Sequence, residues 1–227
     1  MTRPLKTFGR LTRLYQLLEV LAFGNSLAKA RFAFLPDLSH CRKILILGEG
    51  DGRFLLQLHK QNPTATIECI DLSAKMLAKA KERLHTHGNP ETLANLHFRQ
   101  ADIRDIILPE NTYDAIITLF FLDCFNQDSS EKIISKMAPS LQSGGHWYWA
   151  DFRQPAKGWR AFRARIWLAM LYQFFRWQTN IEATHIVPTE SILKQNKLIL
   201  LKSINRQAGL IRTTLFQKES KKLSRPD

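Results

Sequence analysis

At 227 residues and 44% hydrophobic content, the chain can build one sizeable core and is small for two. Its formal charge of +13 is uneven: 18 Lys and Arg face 15 Asp and Glu through residue 150, and 15 face 5 from 151 to 227, so an anionic partner is sought in the last third. No stretch offers the roughly 18 uninterrupted apolar residues that a membrane span needs, and Cys41, Cys69 and Cys124 form neither a CxxC pair nor a His/Cys cluster at metal-ligand spacing, which predicts reduced thiols, a cytoplasmic protein and no metal.

The basic residues Arg3, Lys6, Arg10 and Arg13 precede an apolar stretch at 14–23 that resembles a signal peptide. Gln16 and Glu19 interrupt it, and Leu11, Leu14, Leu18 and Leu21 recur every three or four residues, so an amphipathic helix is expected. "RKILILG" reads as a buried strand running into a glycine turn, and "RFLLQLHK" as the helix after it. "TIECIDLS" is a second strand, "SAKMLAKAKERLH" a helix, "LHFRQAD" a third strand and "YDAIITLFF" a fourth. A helix over 129–141 is expected to start at the capping-box pattern Asp128 to Glu131 and to end before Gly144-Gly145. "GHWYWADF" is a fifth strand, 157–177 an aromatic-rich helix, and the ending reads as two strands about a Gly209 turn. The alternation predicts an α/β, Rossmann-like doubly wound sheet, mostly parallel with an antiparallel C-terminal edge strand and helices on both faces.

The turn "GEGDG" decides the ligand. A P-loop requires GxxxxGK[ST], and no Lys-Ser or Lys-Thr follows. A dinucleotide fingerprint requires a glycine where Arg53 stands, and pyrophosphate disfavours the carboxylates of Glu49 and Asp51. S-adenosylmethionine (SAM) carries a sulfonium and an ammonium group and no phosphate, which suits an acidic loop. Asp71, ending the second strand, is placed to accept bonds from ribose hydroxyls, and Asp102, after the third, a bond from the adenine amino group.

Together, "ILGEGDGRF", "IDLSAKMLAKAKER", "ADI" and "YDAIITLFFLDCF…SGGHWYWADF" resemble the class I SAM-dependent methyltransferases, particularly small-molecule and quinone methyltransferases, over residues 40–155. The resemblance implies SAM as cofactor, S-adenosylhomocysteine as product, and a cofactor site of Gly48, Glu49, Gly50, Gly52, Asp71, Leu72, Met76, Asp102, Ile103 and Leu119. It further implies one domain over 1–217: an N-terminal helical lid (1–40), a SAM-binding core (41–155), a helical insertion capping the substrate (156–195) and a C-terminal strand pair (196–217), with a disordered tail at 218–227. The family commonly carries an acid two places before the first loop glycine; Ile46 stands there, leaving Glu49 or backbone carbonyls to meet the ammonium group.

Catalytic candidates follow the fourth and fifth strands: Asp123 in "FFLDCF" and Asp151 in "ADFR", with Tyr15 on the N-terminal helix. Asp123 alternatively caps a turn, and Asp151 alternatively pairs with Arg153. His146 reads as structural, and Cys124, with no activating neighbour, as a small core residue. The 157–177 helix carries two apolar stripes, and six basic residues with no acid lie between Asp151 and Glu182, which suits either core packing or an anionic membrane surface. The expected function is methyl transfer to a small apolar or aromatic acceptor, at the membrane surface if that helix binds lipid. The alternatives are an RNA methyltransferase and a non-catalytic SAM-binding scaffold; no NPPY-type tetrapeptide follows the fourth strand, which places RNA second.

Overall fold

The computed structural model describes residues 25–153 and 186–220. Seven strands form one sheet in the order β3-β2-β1-β4-β5-β7-β6: β1 (Lys43–Leu47), β2 (Thr66–Asp71), β3 (Leu96–Gln100), β4 (Tyr113–Leu119), β5 (Leu141–Phe152), β6 (Leu198–Arg206) and β7 (Ile211–Lys218). The first five run parallel, and β7 lies antiparallel between β5 and β6. The strand order reverses between β1 and β4, which opens a crevice at their carboxyl ends.

β1 shows how the sheet is held. Ile44 and Ile46 point into one core layer with Phe54, Leu55 and Leu58; Leu45 and Leu47 point into the other with Ile133, Ile134 and Met137. Because both faces are covered, the strand is apolar at nearly every position rather than at alternate ones. Helices α2 (Arg53–Gln61) and α3 (Ala74–His87) cover the first face, and α4 (Gln127–Met137) with α5 (Thr189–Gln195) the second. The short α1 (Ser26–Arg31) docks through Tyr148, whose hydroxyl donates to the Arg31 carbonyl (2.9 Å) and accepts from the Phe34 N–H (3.1 Å).

The expected helix at 129–141 starts and ends earlier. Asn126 caps it, its Oδ1 accepting from the Ser129 N–H (2.9 Å), so the Asp128 to Glu131 pattern lies inside the helix. It stops at Met137, ahead of Pro139, and Gly144-Gly145 belong to β5, where Gly145 lies close to the Asp114 and Gln142 carbonyls. The β6–β7 turn forms at Gly209 as expected, with a φ of +89°. Helix α5 falls at the end of the helical insertion expected over 156–195 but is not distinguished there as a separate helix; its seven residues span two turns, too few for a clear period. The helices expected at 14–23 and 157–177, Tyr15, and residues 221–227 of the expected tail lie outside the described residues, while the first residue of that tail, Lys218, instead ends β7.

Gly52 is where the glycine loop packs on the next unit. A Cβ there would stand 2.7 Å from the Ala80 Cα of α3, and its φ is +81°. At Gly50, φ is +75° but nothing lies within 4 Å. Gly52→Ala therefore costs about 3 kcal/mol or more, whereas Gly50→Ala costs only the roughly 1–2 kcal/mol of a left-handed side-chain-bearing residue. Urea unfolding of the two variants measures the difference.

Candidate functional site

Five strand ends meet at the crevice. β1 leads into Gly48, whose N–H donates to the Ile70 carbonyl (2.9 Å), so the loop starts fastened to β2. Asp71, the last residue of β2, accepts from the N–H groups of Gly50 (3.3 Å) and Ser73 (2.8 Å). Each of its oxygens thus keeps acceptor capacity for a further donor. Burial raises its pKa against these two hydrogen bonds. The adjoining Leu72 side chain is 65% exposed, an apolar surface left open beside a carboxylate. Met76 is half-buried on α3, and Ile103 and Leu119 are buried behind the strand ends.

Two of the expected cofactor acids already hold partners within the protein. Asp102 is gripped by Arg104: Oδ1 accepts from its N–H and Nε (both 2.9 Å), and Oδ2 from Nη2 (2.5 Å). That fork lowers its pKa and occupies most of the acceptor positions expected for adenine. Glu49 turns inward beneath the loop, where Oε1 accepts the Leu55 N–H at 2.9 Å in the first turn of α2. Burial pushes Glu49 up to about 7 against the α2 hydrogen bonds and the Arg31 charge. Ile46, in the position the family gives to an acid, is sealed in the core. Gly52 begins α2 and packs on Ala80, which makes it a packing residue of the loop.

Across the crevice, β4 ends in a strained turn. Phe120 adopts a φ of +54°, rare for a bulky residue, and is held there by its N–H donating to the Ala150 carbonyl (2.6 Å). The turn swings Phe121 back over the loop, where its ring lies 2.3 Å from a Cβ built on Gly48; only glycine fits beneath it. It also directs the Phe121 N–H (3.2 Å) and the Asp123 N–H at the Asp151 carboxylate, whose other oxygen accepts from the Trp149 indole. Asp151 therefore pairs with main chain and indole, not with Arg153.

Asp123 and Asp151 come together here as two carboxyl groups. Burial pushes Asp123 up to about 7; burial and then the Asp123 charge push Asp151 well above the ordinary carboxylate range. Two such groups hold one proton between them near neutrality. The Cys124 thiol, 3.8 Å from Asp123 Oδ1, is pushed up by burial and by both acids, which keeps it protonated and unfit as a nucleophile. Phe121 and Phe125 meet at 5.2 Å, Phe120 and Phe152 at 5.5 Å, and the Arg31 guanidinium lies 5.5 Å from the Phe120 ring. The sequence reading located both acids but missed Phe120, Phe121 and Trp149, because a left-handed turn at phenylalanine has no local signature.

The geometry has close counterparts. Residues 44–145 match the model of a family described as a methyltransferase domain. A ubiquinone/menaquinone biosynthesis C-methyltransferase UbiE of Pasteurella multocida is 28% identical over 60% of this chain, which spans 50% of that protein. Its counterpart in Pseudomonas fluorescens is 26% identical over 92% of this chain and 81% of its own length. The fold alone matches an S-adenosylmethionine-dependent methyltransferase structure from Mesorhizobium loti, with a TM-score of 0.62 at 18% identity, over 83% of this chain and 96% of that one.

Proposed function

As the chain belongs to the class I SAM-dependent methyltransferases, we propose that it methylates a ring carbon of a small phenolic or hydroquinone acceptor, with Asp123 and Asp151 as its proton-accepting pair. The observation that carries this reading is the pair itself: two carboxyl groups beside the glycine loop, with Phe121 and Phe125 packed together on their side of the sheet. A wall of phenylalanine suits an aromatic ring, and an aromatic carbon becomes nucleophilic when a ring hydroxyl loses its proton. The relatives named ubiquinone/menaquinone biosynthesis C-methyltransferases point to the same class of acceptor.

The residues present fit the cofactor. Gly50 leaves open space above the loop, Asp71 retains acceptor positions for ribose hydroxyls, and Leu72 offers an exposed apolar side chain to adenine. Glu49 supplies the negative charge for the ammonium group that Ile46 lacks. Bound there, SAM supplies an electrophilic methyl group on its sulfonium sulfur. The protein's part is to hold the acceptor against the phenylalanine wall, exclude water, and take the hydroxyl proton onto a carboxylate oxygen of the acidic pair. Among the described residues no helix is long and apolar enough to cross a membrane. Attachment to an anionic lipid surface is proposed from the basic, aromatic 157–177 segment, which lies outside them.

Glu49 gives a test of its own. A carboxyl raised to about 7 in the fold takes stability away as pH climbs from its unfolded value near 4.5 through 7. A cation arriving beside it reverses that, so SAM binding below pH 7 releases a proton. Glu49→Gln keeps the α2 cap, abolishes that proton release and weakens SAM about tenfold, as read by calorimetry in two buffers of different ionisation enthalpy. The proposed reaction is tested by offering methyl-labelled SAM with detergent-dispersed hydroquinones, simple phenols and total RNA. Label in the hydroquinone or phenol supports it, and label in RNA alone overturns it.

A further inference from the structure

At the sheet end opposite the glycine loop, the residues just before β1 and the first half of β5 converge. His40 and Cys41 precede β1, and His146 pairs with Ala115 in the β4–β5 ladder. The two imidazole rings meet edge-on with centroids 5.1 Å apart, and Cys41 Sγ lies 3.9 Å from His40 Nε2. One donor atom from each of the three residues falls within 4.8 Å of the others.

The backbone around this cluster is fixed before anything binds. The Cys41 N–H donates to the Leu38 carbonyl (3.0 Å), and the Cys41 carbonyl accepts from the buried Asn62 side chain (3.0 Å). His146 is locked between β4 and β7. Its Nδ1 is buried and finds no hydrogen-bond partner among the described residues. A buried nitrogen in that state carries a desolvation cost that a ligand would remove. A cleft of about 240 Å³ opens beside the cluster, lined by His40, Arg42, Asp114, Gln142, Gly144 and His146 among others.

We propose that His40, Cys41 and His146 form a zinc site, with water from the cleft in the fourth position. Two imidazoles and a thiolate suit a borderline-soft divalent cation, and tetrahedral zinc needs its N and S donors about 3.5 Å apart, within reach of small side-chain rotations from the positions seen. Binding breaks the Cys41 S–H bond, sends its proton to solvent and forms the zinc–sulfur bond with no change of oxidation state. The site then carries one net positive charge, opposite in sign to the Asp114 carboxylate on the cleft wall. Zinc there clamps the entry to β1 onto β5, far from the cofactor loop, and its role is stabilisation. The sequence predicts no metal because His146 is remote from the adjacent pair; only the β1–β4–β5 order brings them together.

Cobalt reports this site without reference to activity. The tag-free full-length chain, stripped with chelator and titrated with Co²⁺, is expected to take up one equivalent, develop a sulfur-to-cobalt charge-transfer band, and lose it when Zn²⁺ is added. Zinc at a hundredfold excess over its dissociation constant raises the thermal midpoint by about 5–10 °C. Cys41→Ser removes the band and Cys124→Ser keeps it. Should Cys41→Ser fail to fold, His40→Ala decides, since His40 is exposed; it weakens cobalt at least tenfold. No band, a band surviving Cys41→Ser, a band lost in Cys124→Ser, or unchanged affinity in His40→Ala overturns the proposal.

Discussion

Asp123→Asn lowers turnover about 10²–10⁴-fold and leaves SAM affinity within about threefold of the original, because it removes a proton acceptor and touches no residue of the glycine loop. The amide keeps the size of the carboxyl, and among the described residues the weak contact to the Cys124 thiol is the one side-chain hydrogen bond at Asp123. Its pH dependence separates a base from a merely structural acid. A base must be ionised, so kcat/KM rises with pH through about 7, where burial has placed Asp123, and falls away below. Asp151 ionises only after Asp123, so Asp151→Asn replaces a neutral group with a neutral one and the limb stays near 7. Asp123→Asn has no such limb in its residual rate. The fold accepts the acidic pair at a cost: a carboxyl raised from 3.8 to about 7 loses stability as pH rises across that interval. The variant's unfolding midpoint is accordingly flatter from pH 4 to 7, a trade of stability for reactivity common at active sites.

Asp71→Ala abolishes measurable SAM and S-adenosylhomocysteine binding at concentrations that saturate the unaltered chain, a loss of about 10²–10³-fold. Each hydrogen bond to a charged acceptor contributes about 1.5–3 kcal/mol, and one carboxylate serves two ribose hydroxyls. The substitution also frees the Gly50 and Ser73 N–H groups that Asp71 now holds, so the loop keeps only the Gly48 bond to the Ile70 carbonyl of the two described anchors to β2. Asp71→Asn retains one acceptor oxygen and binds with intermediate affinity. Calorimetry measures all three proteins; NADH binding by any of them would contradict the cofactor assignment.

The sheet and its ligand class were readable because local rules decide them. "KILIL" is continuous apolar sequence because both faces of β1 are buried, and "GEGDG" bends because Gly48, Gly50 and Gly52 all have positive φ. Gly52 is also tied to the next helix: the alanine of "MLAKA" that it meets, Ala80, is small because the loop presses on it. What the sequence left hidden is tertiary. The inward turn of Glu49 depends on the amide protons of α2, the grip of Arg104 on Asp102 is a rotamer choice, and the facing of Asp123 and Asp151 depends on a left-handed Phe120. Helix ends failed for the same reason: Asn126 competes with Asp128 as a cap, and Asn126 prevails once Leu122–Cys124 fixes the approach of the chain.

The position of the transferred methyl group tests the account most directly. With ¹³C-methyl SAM, a hydroquinone acceptor and the full chain, NMR of the isolated product should show the label bonded to a ring carbon, with one S-adenosylhomocysteine formed per methyl transferred. The label on oxygen, or S-adenosylhomocysteine formed with no methylated hydroquinone, would contradict it.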